Sequence, residues 1–251
     1  MPRRDVDEVF AKDEFAELYD LFNAWAACDD YFLTRARASG GPVLDIGCGT
    51  GLLAAAIAAT GLAVVGADPA EGMLRVARAR PGGGRVTWVH AAGQDLDLGR
   101  RFAFVYMTGH AFQALLTDAD AVAVLRAAAR HLTPDGRFVF ETRNPAVRAW
   151  ENWASERPPQ VAVHPDHGRV EQTQSATYDP ATGIVHLVER SRLLDRGDER
   201  IGRSRLRFID RDHLAGLIAQ AGLRPVAWHG DWDGRDFAPD SREIIAVAAP
   251  A

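Results

Sequence analysis

An α/β fold built on a mostly parallel sheet is predicted by three features of the sequence. Short β-branched runs alternate with helical runs through residue 142. The first run, Val43-Leu44-Asp45-Ile46, leads directly into the glycine turn Gly47-Cys48-Gly49-Thr50-Gly51 and then into a helix. Beyond residue 142 the pattern changes to strand runs joined by tight turns, before a last helix and two strands.

Taken in order, residues 5–38 carry Val9, Phe10, Leu18, Tyr19, Phe22, Trp25, Tyr31 and Phe32 at helical spacing, which predicts two helices ahead of the first strand. They form a candidate lid, in which Trp25 is expected to be core. Leu52 to Ala59 reads as the helix after the glycine turn, and Ala63 to Ala67 as a second strand that ends at Asp68. Ala70 to Arg80 is helical until Pro81-Gly82-Gly83-Gly84 breaks it. Val86–His90 and Phe102–Met107 are the third and fourth strands. Ala119–His131 is a helix capped by Asp118 or Thr117, and Thr133-Pro134-Asp135-Gly136 is a turn into a fifth strand, Arg137–Thr142. The runs 169–178, 184–194 and 199–208 are linked by Asp179-Pro180-Ala181-Thr182-Gly183 and Asp195-Arg196-Gly197-Asp198, the pattern of an antiparallel meander. Asp210–Ala221 is a helix stopped by Gly222, and Leu223–His229 and Ile244–Ala248 are the last strands. This divides the chain into a helical lid at 1–40, a core at 41–142, a β-rich cover at 143–208 and a completion of the core at 209–251.

At 251 residues and 47% hydrophobic content the chain can bury one full core, with room for an insertion but not for two catalytic domains. A net charge of −5 argues against a surface built for nucleic-acid phosphates. Cys28 and Cys48 have neither disulfide-scaffold nor metal-ligand spacing, and agree with a reducing compartment. Met1-Pro2-Arg3-Arg4-Asp5 opens no apolar run of signal-peptide or membrane-span length, so a cytoplasmic protein with no membrane contact is expected. The sole lysine is Lys12, which reads as coding bias.

The glycine turn is where chemistry enters. Gly47, Gly49 and Gly51 let the backbone turn tightly and approach a ligand. Asp45, just ahead of them, would repel a pyrophosphate and attract a cationic group. Asp68 ends the second strand where an acid accepts ribose hydroxyls, and Asp95 in Ala91-Ala92-Gly93-Gln94-Asp95-Leu96 is placed to accept an adenine amino group, with the Leu96 backbone against the ring.

VLDIGCGTG, GADPAEGML and AAGQDLDL together resemble the glycine, ribose-acid and adenine motifs of the class I S-adenosylmethionine (SAM)-dependent methyltransferases, over most of residues 40 to 145. RFAFVYMTGHAFQALL and LTPDGRFVFETRNP resemble the same family's fourth and fifth strand regions. The resemblance implies a Rossmann-like seven-stranded sheet whose last strand is antiparallel. It also implies Asp45 and Gly47 near the methionine amino group, Asp68 at the ribose, Met73 on the adenine and Asp95 on its amino group. No [NDS]-P-P-[YFW] tetrapeptide follows the fourth strand, so similarity to the nucleobase and glutamine-amide N-methyltransferases is weak.

In such a sheet the ligand lies beyond the strand carboxyl ends. The insertion and the loop Gly230–Phe237 therefore cover the site. Met107, which closes strand four, is assigned to the cofactor, as is Tyr19, an aromatic able to close over a sulfonium alongside Trp25 or Tyr31. His110 is either the base that deprotonates an acceptor or a capping and cofactor-positioning histidine. Gln113 orients either ligand. Arg143, Trp153 and Trp232 are assigned to the acceptor, with burial under the insertion as the alternative for Trp150, Trp153 and Trp232. Arg203, Arg205 and Arg207 alternate on one strand face and read as solvated. His164 and His167 lack a second ligand pair, so no metal is assigned.

The sequence thus points to a SAM-dependent methyltransferase acting on a small-molecule nitrogen, oxygen or carbon and releasing S-adenosylhomocysteine (SAH), as a monomer or homodimer without a nucleic-acid partner. The alternatives are an NAD-dependent oxidoreductase and a non-catalytic SAM-binding regulatory protein.

Overall fold

The computed structural model describes residues 6–153 and 158–251. The opening Met1–Asp5 segment, on which the leader-peptide expectation rests, lies outside the described residues. Four helices come first: α1 (Glu8–Ala11), α2 (Asp13–Ala16), α3 (Tyr19–Phe22) and α4 (Ala27–Ser39). The core follows as β1 (Val43–Ile46), α5 (Leu52–Ala59), β2 (Val64–Asp68), α6 (Glu71–Ala79), β3 (Val86–His90), β4 (Phe102–Met107), α7 (Asp118–His131) and β5 (Leu132–Arg143). Strands β6 (Gln160–His164), β7 (Gly168–Asp179), β8 (Ile184–Leu193) and β9 (Asp198–Arg207) form a separate sheet before α8 (Arg211–Gln220), β10 (Leu223–His229) and β11 (Glu243–Pro250).

The main sheet runs β10-β11-β5-β4-β1-β2-β3, with β11 antiparallel to both neighbours and the β1, β2, β3, β4 and β5 pairs parallel. Its central strands β1, β2 and β4 are buried on both faces, which is why they read as continuous apolar runs. Leu44, Ile46, Val105 and Phe140 pack with α7 and α8 residues such as Leu125 and Leu214. Val43, Phe104, Tyr106 and Val139 pack with Phe32 of α4 and Leu53 and Ile57 of α5. The result is a three-layer sandwich whose β1, β2, β4 and β5 ends converge on one edge.

Three local expectations change. The N-terminal segment holds three single-turn helices and one long one, because Lys12 is extended (φ −86°, ψ 129°) and Asn23 leaves the helical region (φ −127°, ψ 56°). Thr133–Gly136 belongs to β5, whose pairing with β4 shifts register between Phe102 and Phe104. The insertion has a fourth strand, β6, whose apolar Val161 and Val163 are exposed on an edge and so gave no buried-strand pattern. Thr117 caps α7, its hydroxyl oxygen accepting the Asp120 N–H.

The second sheet is fastened to the N-terminal helices along β9. Arg205 donates to Asp7 at 2.7 and 3.1 Å, and its backbone N–H reaches the same carboxylate at 2.7 Å. Arg203 meets Glu8, and Arg200 donates to the Glu14 carbonyl. Gly202 lets β9 lie against Val9 and Phe15, where any Cβ would collide. The arginine face read as solvated is therefore an ion-paired seam; Arg207 likewise bonds Asp118 at 2.7 Å.

Two outcomes are expected. Gly51 (φ 73°) sits against the Trp88 ring with no room for a Cβ. Gly51→Ala should therefore cost about 1–3 kcal/mol in urea unfolding, and adding Trp88→Ala should return part of that loss; additive losses would reject the clash. Asp7→Ala should speed hydrogen exchange in α1 and α2 about fivefold, the worth of ~1 kcal/mol for a partly exposed pair. High salt should do the same to the unaltered chain. Exchange unchanged by either would remove the seam as a fastening.

Candidate active site

The glycine turn leaves β1 with left-handed backbone at Gly47 (φ 78°), Gly49 (φ 52°) and Gly51 (φ 73°), a region that only glycine enters freely. A Cβ on Gly49 would project into open space, whereas one on Gly51 would strike Trp88. Gly49 thus serves an approach from outside, Gly47 lies close against Ala111, and Gly51 serves packing. The loop is braced by Asp68, whose Oδ2 accepts the Gly49 N–H and whose Oδ1 accepts the Ala70 N–H, each at 2.8 Å. Burial raises the Asp68 pKa against these two bonds.

Beneath the loop, Asp45 is buried, and its Oδ2 accepts the Tyr106 hydroxyl at 2.8 Å. Its Oδ1 has no partner among the described residues. Burial pushes this carboxyl up to about 8, with the nearby Asp68 adding to the shift. A buried, half-satisfied carboxyl is costly and suits an arriving cation.

A cavity of about 340 Å³ opens over this loop. One end is walled by Ile46, Gly47, Gly49, Asp68, Met73, Ala92, Gly93 and Gln94. The other is formed by Tyr19 and Asn23, the β4 exit from Met107 to Ala111, Arg143, and the insertion residues Gln174, Leu187, Glu189, Ser204, Arg205 and Leu206. Tyr19, lodged there, has its phenol pushed up to about 12 by burial and by Asp20, Asp68 and Glu189.

His110 is held from two sides. Its backbone is left-handed (φ 60°), a strained conformation for a non-glycine residue, and its N–H donates to Glu141 Oε1 at 2.8 Å. Its Nε2 lies 3.0 Å from Glu243 Oε2. Burial and the Arg143 charge lower the imidazole pKa, outweighing Glu243. Glu141, buried and with Oε2 unpartnered among the described residues, is pushed up to about 8. No pattern in the sequence marks Glu141, Glu189 or Glu243 as site residues. Alternation along β5 puts Glu141 and Arg143 on one face, but the register Glu243↔Arg143 comes only from long-range pairing of β5 with β11.

Of the residues named from sequence, Tyr19, Gly47, Gly49, Asp68, Met73, Met107, His110 and Arg143 line this one cavity. Others fall elsewhere. Asp45 lies beneath the loop and does not line the cavity. Asp95 is exposed on a 3₁₀ turn and Leu96 is 1% exposed in the core, because that turn presents Ala92, Gly93 and Gln94 to the cavity instead. Gln113 is buried behind the wall, its oxygen accepting Arg143 Nη1 at 2.8 Å and its amide donating to the Arg207 carbonyl at 3.1 Å. Trp153 carries the Arg143 guanidinium 4.8 Å from its ring centre. Trp232 does not line the cavity: it packs edge-on against Tyr31, 5.7 Å between centroids, and against Phe32, and reaches the site only through an edge contact with the His110 ring at 6.5 Å. Trp150 is buried against Tyr178 and Phe208 under the insertion. Tyr31 bonds His229 at 2.8 Å, away from the cavity, and Trp25 is exposed at 39%, not core, donating to Asp30. His164 and His167 stack on each other, and no group of three metal-binding side chains occurs among the described residues.

The orphaned Asp45 oxygen, the open space above Gly49 and the acid at the β2 terminus fit SAM, which brings an ammonium, a ribose and no phosphate. Asp45 does not suit a pyrophosphate, whereas an acid at the position of Asp68 serves a ribose in either kind of cofactor. A sequence profile of the methyltransferase domain family matches residues 43–136. A ubiquinone biosynthesis O-methyltransferase of Idiomarina loihiensis is 36% identical over 113 residues, 44% of this chain and 46% of that protein. Another, from Dinoroseobacter shibae, is 38% identical over 210 residues, 80% of this chain and 65% of the relative. The first curated relatives are thus matched over less than half of their length. The solved structure of the CcbJ methyltransferase from Streptomyces caelestis superposes with a TM-score of 0.75 at 27% identity, covering 93% of this chain and 96% of that one. With the strand order, the acid-braced glycine loop and these relatives in agreement, residues 43–136 form a methyltransferase domain and the chain has the class I SAM-dependent methyltransferase fold.

Proposed function

We propose that this chain transfers the methyl group of SAM to a nitrogen, oxygen or carbon atom of a small molecule and releases SAH. The observation that carries this reading is the single cavity that joins the Gly47–Gly49–Asp68 wall to the polar end at His110, Arg143 and Glu189. When bound, SAM supplies an electrophilic methyl on its sulfonium. The protein's tasks are then to align two ligands, exclude water and remove a proton where the acceptor carries one.

Asp68 receives the ribose hydroxyls on the lone pairs that Gly49 and Ala70 leave free, and Asp45 takes the ammonium. Met73 and the Ala92–Gln94 wall enclose the adenine. The N-terminal segment and the 143–208 insertion act as lid and cover, since both contribute walls to the polar end. His110 serves as the base. Its lowered pKa keeps the imidazole neutral at physiological pH, and Glu243, by accepting the Nε2 proton, makes Nδ1 the basic nitrogen.

SAH formation across a panel of small amines, phenols and carbon acids, with SAM titrated by calorimetry, tests the whole reading. SAM binding without product from any acceptor class would favour a non-catalytic binding protein. Asp68→Ala should lose about 1.5–3 kcal/mol of SAM affinity, the scale of hydrogen bonds to a charged group; undiminished affinity in the folded variant would refute the ribose role. Asp45 starts protonated, with a pKa of about 8, and ionises on meeting the ammonium, so binding should release a proton and affinity should rise as pH climbs toward 8. Calorimetry in buffers of different ionisation enthalpy reads that proton, and Asp45→Asn should abolish its release. His110→Ala should lower turnover by about 10² or more with SAM affinity kept; lost SAM affinity with intact single-turnover rate would make His110 a positioning residue.

A further inference from the structure

Arg143 stands out among the charges that line the cavity. Its side chain is part-buried, and among the described residues no carboxylate oxygen lies within 4.0 Å of its nitrogens. The cavity's other arginine, Arg205, is already taken by Asp7 at 2.7 Å. The acids nearest in sequence register are turned to His110: Glu243 bonds its ring, and Glu141 Oε1 accepts its N–H.

What Arg143 does touch fixes its orientation without neutralising it. Nη1 donates to the Gln113 side-chain oxygen at 2.8 Å, and Gln113 is anchored by its own bond to the Arg207 carbonyl. Trp153 covers one face of the guanidinium at 4.8 Å. A guanidinium has five N–H donors, of which one is engaged by a neutral amide here. A planar fork held by an amide and an aromatic face, with no carboxylate of the described residues in salt-bridge contact, matches the geometry that binds a carboxylate through two parallel hydrogen bonds.

We infer that Arg143 is the docking point for a carboxylate on the methyl acceptor, so that the substrates are small organic acids. This rests on the methyltransferase reading, which places an acceptor in the cavity. The surrounding charges give the bound acid one orientation. Asp68 lies at the cofactor wall and Glu189 on the insertion, and both repel an anion from those positions. Glu243 and Glu141 also act on Arg143, but Glu243 is turned to the His110 ring and Glu141 to the His110 N–H, so among the described residues the guanidinium remains the one cation on this wall without a carboxylate in contact. The carboxylate is the anchor and stays chemically unchanged; the atom that receives the methyl group is elsewhere on the same molecule. An acceptor held instead by an ammonium on Glu189 is the competing arrangement.

The test uses the full chain saturated with SAH and pairs of small aromatic acids with their primary amides, benzoate with benzamide and cinnamate with cinnamamide among them. Binding is read by tryptophan fluorescence, to which Trp153 is adjacent, and by calorimetry. The acids should bind about tenfold or more tightly than the amides, the ratio that a charge-assisted hydrogen bond supports. Arg143→Gln should erase that preference while SAM affinity changes by no more than about twofold, and Arg143→Lys should keep part of it. Where Arg143→Gln does not fold, Gln113→Ala releases the fork and should lower the preference, and an unchanged preference there overturns the inference. So does the absence of any acid preference across the panel, a preference that survives Arg143→Gln, or tighter binding of benzylamine than of benzoate. Failure of the unaltered chain to bind SAM or SAH would overturn the methyltransferase reading, which is a separable result.

Discussion

Asp68 ties three elements together. It ends β2, holds the glycine loop after β1 through the Gly49 N–H and holds the entry to α6 through the Ala70 N–H. Because the carboxylate is desolvated, each bond is worth more than in water, and losing either would leave an unpaired charge in the wall. The loop geometry that leaves space above Gly49, the seat of Met73 and the floor of the cavity all depend on that one side chain. The same group that shapes the loop is thus the group that would meet the ribose.

At the other end of the cavity a similar economy operates on His110. Its left-handed backbone stores strain of order 1–3 kcal/mol, and the bond to Glu141 compensates for part of it. Glu243 orients the ring from a neighbouring strand. Two carboxyls therefore hold one imidazole, one through the main chain and one through the side chain. Burial keeps the ring neutral despite Glu243. The strain lies where β4 must turn sharply to put a side chain over the sheet edge.

The covering sheet owes its position to charge as much as to apolar packing. Trp150, Val185, Leu187 and Phe208 give it a small core of its own, while β9 meets the N-terminal helices through arginine–acid pairs. Such a seam is looser than a hydrophobic interface and sensitive to salt.

The periodic core was legible in the chain. The strands Val86–His90, Phe102–Met107 and Leu223–His229 and the helix Leu52–Ala59 carry patterns set by burial on known faces, and the glycine turn with Asp45 and Asp68 carries local chemistry that needs no distant partner. The N-terminal helices and β6 were obscured, because single turns are too short for a helical period and an exposed edge strand has no buried face. What only the tertiary structure decided is which side chains meet. The turn that carries Asp95 presents Ala92, Gly93 and Gln94 to the cavity, and Trp232 rests on Tyr31 and Phe32 with an edge contact to His110. Glu243 and Arg143 become neighbours only when an antiparallel strand returns beside β5, and Arg205 faces the cavity only because Asp7 holds it there. Burial patterns are written locally along a chain, but the partner of a charge is set by strand register across long separations.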